Sequence, residues 1–201
     1  MYQDIISNIF SKNIVIEKGL YLVATPIGNV NDITIRAIKI LNSSDTIVCE
    51  DTRVSKKLFS HLGMQTKTKN WLVYNDHSNE KDINNILNEL DKDKVISLIS
   101  DAGTPLISDP GYKLILRIKE SSHHIFSLPG PCSAIASLVL SGLRTDKFCF
   151  LGFLSKNKNK YIATLREYTK SNYSLIIYEK TSRLNFFLTT IKENFKIFKL
   201  A

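Results

Sequence analysis

The sequence predicts an α/β protein: a five-stranded parallel sheet followed along the chain by a second, smaller α/β domain. Three observations carry this. Short apolar runs with β-branched members alternate with amphipathic stretches of helical spacing from residue 19 to residue 143. Gly, Pro, Asn and Asp punctuate the ends of the runs. After Gly142 the pattern changes, and strand–helix alternation resumes in a segment with fewer strands.

Residues 1–18 are polar and irregular and read as an N-terminal extension. The first strand is 19–24, and the loop 25–30 leads to a helix that Asn31 or Asp32 would cap. Ile33, Ala37, Ile38 and Leu41 are its apolar face. Strand 46–49 ends in the charged cluster 50–53. The next helix shows Val54, Leu58, Phe59 and Leu62, with Gly63 closing it. Strand 71–74 precedes the polar loop 75–79 and a helix marked by Ile83, Ile86, Leu87 and Leu90. Strand 95–100 is an apolar run, broken by the small-residue turn 101–105. There Asp109 would cap a helix at about 110–120, with Pro110 in its first position. Strand 124–128 ends in Pro129-Gly-Pro131, and a small apolar helix spans 133–143. Strand 148–153, helix 160–170, strand 174–179 and helix 184–195 follow, and 196–201 reads as the start of a further strand. The expected domains are 19–128 and 129–201. All five loops that follow the first five strands open on one edge of the sheet, where open α/β sheets bind ligands.

The 201 residues are 43% hydrophobic and 23% charged, enough apolar material for a real core. The three cysteines, Cys49, Cys132 and Cys149, form no CxxC pair and read as reduced thiols of a cytoplasmic protein. No Cys/His cluster has zinc-ligand spacing, so no metal is expected. The early acid and absent basic flank argue against a signal peptide, and no apolar run approaches the ~20 residues of a membrane span. Charge is unevenly placed. Residues 1–154 hold 17 Lys/Arg and 16 Asp/Glu, a net of +1, whereas residues 155–201 hold 10 and 3, a net of +7. A basic end on a near-neutral body suits a nucleic-acid contact; a solvated face is the plainer reading.

Four stretches in order carry a resemblance: LVATPIGNVNDIT at 22–34, CEDTR at 49–53, SDAGTPLISDPG at 100–111, and PGP at 129–131 followed by SAIASL and SGL up to 143, with LGFL at 151–154 also fitting. Together they resemble the tetrapyrrole-methylase superfamily of S-adenosylmethionine (SAM)-dependent methyltransferases, and within it the bacterial 16S ribosomal RNA cytidine 2′-O-methyltransferases. The resemblance implies the two-domain tetrapyrrole-methylase fold, SAM in the cleft between the domains, a homodimer, and 16S ribosomal RNA or the small ribosomal subunit as partner. Position 132 is Cys where the family usually has Ser, a small residue that fits. The resemblance also implies further strands and an Arg-Glu-Leu-Thr-Lys type motif beyond residue 201, so the second domain reads as incomplete relative to the family.

By the same resemblance Ser100, Asp101, Ala102, Gly103 and Thr104, with Gly130, Pro131, Cys132, Ser133 and Ala134, are assigned to SAM, and Phe153, Leu154 and Tyr178 are candidate walls, the plainer reading of Phe153 and Leu154 being ordinary core. Methyl transfer from a sulfonium needs alignment and removal of the nucleophile's proton. A ribose 2′-hydroxyl is a poor nucleophile, and Glu50, Asp51, Asp76 and His77 are candidate bases on the converging edge. Arg53 or Arg36 would hold a phosphate bidentately. The plainer reading of Glu50, Asp51 and Arg53 is an ion-pair cluster at a helix start, and that of His77 is a loop histidine in solvent. Three functions stay open: an RNA 2′-O-methyltransferase, a small-molecule methylase of tetrapyrrole type, and an inactive SAM- or RNA-binding remnant.

Overall fold

The computed structural model describes residues 15–195 and 199–201, which divide into two compact units that part between Cys132 and Ser133. Of the expected extension, residues 1–14 lie outside the described residues; 15–18 carry no regular structure, and Ile16 packs on the core.

The first unit contains β1 (Gly19–Val23), a 3₁₀ turn (Val30–Asp32), α1 (Ile35–Ser43), β2 (Thr46–Cys49), α2 (Thr52–His61), β3 (Asn70–Val73), α3 (Glu80–Leu90), β4 (Val95–Ile99), α4 (Tyr112–Lys119) and β5 (Ile125–Leu128). The five strands form one parallel sheet in the order β3-β2-β4-β1-β5. Side chains alternate along each strand, and both faces are apolar. Tyr21, Val23, Ile47, Cys49 and Ile99 meet Ala37, Leu41 and Phe59 of α1 and α2. Leu20, Val48, Ile96 and Leu98 meet Ile83, Ile86, Leu114 and Ile118 of α3 and α4. A sheet covered on both faces needs uniformly buried strands, and all five residues of β4 are buried. Its one polar residue, Ser97, lies 2.7 Å from the Ser44 hydroxyl, which itself donates to the Ile40 carbonyl at 2.8 Å. Ser97 is therefore the donor, and both buried hydroxyls are satisfied.

The chain crosses from β1 to β2 and β3 in one direction, then returns through β4 to β5. β4 therefore stands between β2 and β1, whose helices cover the face opposite α4. This is a topological switch point, and the crevice beyond its carboxyl end is where such sheets hold ligands.

The second unit contains α5 (Ser133–Leu140), β6 (Phe148–Phe153), α6 (Lys158–Tyr168), β7 (Ser174–Tyr178), a 3₁₀ turn (Thr181–Arg183) and α7 (Leu184–Asn194). β6 and β7 pair in parallel. Tyr161, Leu165 and Ile191 are its small core, with Leu154, Ile177 and Phe187 packed on them.

Several boundaries differ from expectation, each for a hydrogen-bonding reason. Asn29, not Asn31 or Asp32, starts the 3₁₀ turn by accepting from the Asn31 N–H at 3.0 Å. That turn delays α1, which Thr34 caps by accepting from Ala37 N–H at 3.0 Å. Asp109 caps nothing and Pro110 precedes the helix: α4 begins at Tyr112 behind Gly111, at φ +143° and with no side-chain cap. The 133–143 helix stops at Leu140, because Ser141 Oγ takes the Leu138 carbonyl at 2.7 Å and Gly142 turns left-handed at φ +63°. Asn157 accepts from the N–H groups of both Asn159 and Lys160, so α6 starts two residues early. Gly63, at φ +67°, does close α2: its N–H meets Ser60 O at 3.1 Å, and Met64 N–H meets Phe59 O at 2.9 Å. Of the strand expected at 196–201, residues 196–198 lie outside the described residues, and 199–201 hold no strand.

Candidate functional site

Three loops leaving the carboxyl ends of β1, β4 and β5 are bonded to one another. Thr25 N–H donates to Gly103 O at 2.9 Å, and Gly103 N–H returns to Thr25 O at 3.1 Å. The Thr25 hydroxyl, fully buried, donates to Ser100 O at 3.1 Å, and Ser100 Oγ donates to Gly103 O at 3.0 Å. Thr104 Oγ1 donates to Pro131 O at 2.9 Å, tying the β4 loop to the Pro-Gly-Pro loop. Gly103 adopts φ +91°, and a Cβ there would sit 3.3 Å from Ile27 Cγ2. A Cβ on Gly130 would lie 2.7 Å from the Ala24 Cβ, nearer than carbon atoms pack. The glycine backbone thus stands directly against the Ile27 and Ala24 side chains, with no room for a larger residue.

Beside this clamp the loops after β2, β3 and β4 gather carboxylates. Glu50 accepts the backbone N–H of Asp101, and Asp101 accepts that of Asp51, which crosslinks the ends of β2 and β4. Partial burial, then the negative charges of Asp109, Asp101 and Asp76, push the Glu50 carboxyl up to about 7. Burial also raises the Asp101 and Asp109 carboxyls. Asp51, one residue from Glu50, goes the other way. It caps α2 through Arg53 N–H at 2.8 Å and holds the Arg53 guanidinium at 2.6 Å, which takes its carboxyl down to about 2. Two adjacent carboxyls thus differ by environment: Glu50 changes charge near neutrality, and Asp51 stays ionised.

The structure therefore brings Glu50, Asp51, Asp76, Ser100, Asp101 and Gly103 to one edge. Arg53 is committed to Asp51. His77 is exposed in a turn in which its own N–H bonds Asn75 Oδ1 at 3.0 Å. Arg36 stands elsewhere, on a groove of about 550 Å³ lined also by Tyr21, Ile38, Met64 and Phe126. Sequence reasoning missed Thr25 as the residue that joins the loops, and it placed Asp109 as a helix cap rather than in the carboxylate group. Among the described residues no group of three or more His, Cys, Asp or Glu side chains has the geometry to hold a metal ion. No described helix is long and apolar enough to cross a membrane.

A family model of the tetrapyrrole (corrin/porphyrin) methylases matches residues 19–197. The chain belongs to this family. The chain is 46% identical over 181 residues to "Ribosomal RNA small subunit methyltransferase I" of Rickettsia prowazekii, covering 90% of this chain and 64% of that protein. It is 41% identical to the like-named protein of Halalkalibacterium halodurans, covering 84% of this chain and 57% of that protein, and 42% identical to that of Escherichia coli O157:H7, covering 82% and 57%. The chain thus spans roughly 57–64% of the length of these curated relatives. Among solved structures, a cobalamin biosynthetic enzyme, cobalt precorrin-4 methyltransferase, shares the fold at a TM-score of 0.64 and 14% identity, over 87% of this chain and 74% of its own.

The remaining candidate residues belong to the second unit. Ser133 and Ala134 open α5, Leu154 follows β6 and Tyr178 ends β7. The Ser133 and Tyr178 hydroxyls are 2.6 Å apart, and Leu154 packs on the small core.

Proposed function

We propose that this chain methylates the 2′-hydroxyl of a cytidine ribose in 16S ribosomal RNA, with S-adenosylmethionine as donor. The observation that carries the reading is Glu50: a half-buried carboxyl brought near neutrality at the mouth of a small-residue clamp, where a ligand's proton would be within reach. Relatives 39–46% identical over 82–90% of the chain bear the name of a small-subunit rRNA methyltransferase, which supports the substrate class.

The residues present fit SAM. Gly103 and Gly130 let the loops after β4 and β5 lie close against Ile27 and Ala24, which leaves a surface of backbone and small side chains, and the Asp101 and Asp109 carboxyls suit a ligand that carries positive charge. Residues 100–104 and 130–132 would hold it by backbone and small side chains. Bound there, SAM supplies a methyl group on a cationic sulfur, open to in-line attack by an oxygen. Glu50, when ionised, accepts the ribose hydroxyl proton. Asp101 N–H holds the Glu50 carboxylate in place, and Asp51 fixes the β2–α2 corner through its cap and Arg53. A carboxylate-lined edge repels phosphate, so the RNA backbone needs cations elsewhere, and the +7 of residues 155–201 provides them.

The test is transfer of tritium from labelled SAM to small ribosomal subunits lacking the modification, followed by mapping of 2′-O-methyl positions. Label on a cytidine ribose is the expected result. Label on a base, or transfer only to a tetrapyrrole-type small molecule, overturns the RNA reading. A homodimer is part of the same proposal, and sedimentation equilibrium across concentrations tests it.

A further inference from the structure

The two helices on one face of the first unit's sheet carry charge of a single sign. α1 holds Arg36 and Lys39, α2 holds Arg53, Lys56 and Lys57, and neither contains Asp or Glu. The loop after α2 adds Lys67 and Lys69, so residues 52–75 hold five Lys/Arg and no Asp/Glu. Residues 1–132 as a whole hold 15 of each class. On the opposite face charge is mixed. Glu80, Lys81, Asp82 and Glu89 share α3, and Arg117 of α4 reaches Glu120 at 3.1 Å and Glu80 at 3.9 Å.

Arg53, Lys56, Lys57, Ser60 and His61 are all exposed and recur at the spacing of one helix face, while Ser55 and Phe59 are buried against the sheet. The outer stripe is about 12 Å long. Arg53 is held by Asp51, and Lys69 donates to the Asn42 and Ser44 carbonyls. Lys56, Lys57 and Lys67 have no ion-pair partner among the described residues. The Lys56 ammonium lies over the Trp71 ring, 5.3 Å from its centroid, which aims it. Lysines one turn from Arg53 repel it, and they gain none of the pairing with acids that steadies an exposed helix. A folded chain does not bury unpaired ammonium groups, so whatever meets this face brings negative charge.

α2 starts from its Asp51 cap, next to Glu50, and runs away from the carboxyl edge of the sheet. The carboxylates at that edge repel phosphate. An RNA that presents a ribose to Glu50 must therefore carry the neighbouring phosphates past the edge, and α2 begins there. The exposed apolar residues of α1 and α2, Ile35 and Val54, include no aromatic anchor of the kind a membrane surface takes. We infer that this face of the first unit is a track for the RNA sugar–phosphate backbone beside the modified nucleotide, with Lys56, Lys57 and Lys67 as its phosphate contacts. Such contacts set affinity and position, not sequence preference. The inference rests on the ribosomal-RNA reading above and adds a surface to the basic residues 155–201.

The experiment is fluorescence anisotropy of a labelled single-stranded RNA dodecamer titrated with the full chain across salt concentrations, with a thermal melt of every variant. Each of Lys56→Ala, Lys57→Ala and Lys67→Ala should reduce the slope of log affinity against log salt by about 0.7, and the three together by about 2. Lys56→Arg with Lys57→Arg and Lys67→Arg should keep the slope, and so should Lys113→Ala on α4. A triple alanine variant with the wild-type slope overturns the track and leaves the ribosomal-RNA reading standing. So does an equal loss in Lys113→Ala, which would make the effect one of net charge alone. Alanine variants that lose binding to anionic phospholipid vesicles, with RNA binding intact, give the face to a membrane and also overturn the track. A wild-type chain that binds no RNA overturns the ribosomal-RNA reading, and the track with it.

Discussion

Thr25 and Gly103 exchange two backbone hydrogen bonds, of 2.9 and 3.1 Å, although the strands that lead to them, β1 and β4, run parallel. A reciprocal pair of this kind belongs to antiparallel neighbours. One of the two loops must therefore reverse within a few residues, and Gly103, at φ +91°, is where the β4 loop does so.

Gly103→Ala should cost about 1–2 kcal/mol, because an L-residue resists this backbone conformation. For a chain of this size that lowers Tm by about 2–8 °C. SAM affinity measured by calorimetry should fall with it. Unaltered affinity in the folded variant would remove the β4 loop from the proposed site.

Gly130→Ala acts by overlap rather than by backbone strain, since its Cβ would stand 2.7 Å from that of Ala24. Overpacking of this kind costs about 1–3 kcal/mol. Ala24→Gly in the same chain should restore part of the loss. Denaturant midpoints of the single and double variants give the coupling, and simple additivity would mean the two residues do not press on each other.

Glu50 titrates near 7 in the folded chain against an ordinary 4.5. A raised carboxyl favours its protonated form, so its contribution to stability is full below about pH 4.5 and is lost as pH rises through about 7. Glu50→Gln should therefore gain stability relative to the wild type at pH 8 and not at pH 4. Activity runs the opposite way. Methyl transfer should rise with pH and level off above about 7, and Glu50→Gln should lower it by about 10²- to 10⁴-fold. A flat pH–rate profile would assign the base elsewhere.

Glu89 is a structural counterpart at the other end of the sheet. Its carboxylate receives Lys92 and Lys94 at 2.6 Å each, Thr46 Oγ1 at 2.9 Å and Asn70 Nδ2 at 3.1 Å, which bring it down to about 2. Because the shift is downward, its stabilisation is present above pH 4.5 and is lost as pH falls towards 2. Glu89→Ala leaves the buried Thr46 hydroxyl without its acceptor and should cost about 1–3 kcal/mol at neutral pH. Thermal melts from pH 2 to 7 should show the difference between variant and wild type shrinking at the acid end.

The sequence by itself determined the succession of strands and helices, the parallel α/β class and the edge on which the informative loops open. These are local matters: periodicity 2 or 3.6, and Gly, Pro or Asn at the turns, are written within a few residues. The basic character of residues 155–201 is legible in the same way. Only the tertiary structure decided which strands are neighbours, and with that the crosslink of Glu50 to Asp101 and the approach of Asp109, 59 positions away in the chain. A carboxyl's pKa depends on desolvation and on charges near it in space, neither of which leaves a mark in its own stretch of sequence. The same holds for the start of α1 at Thr34, which the hydrogen bonds of a preceding 3₁₀ turn displaced, and for Phe153, whose face was set by one extra residue in the pairing of β6 with β7.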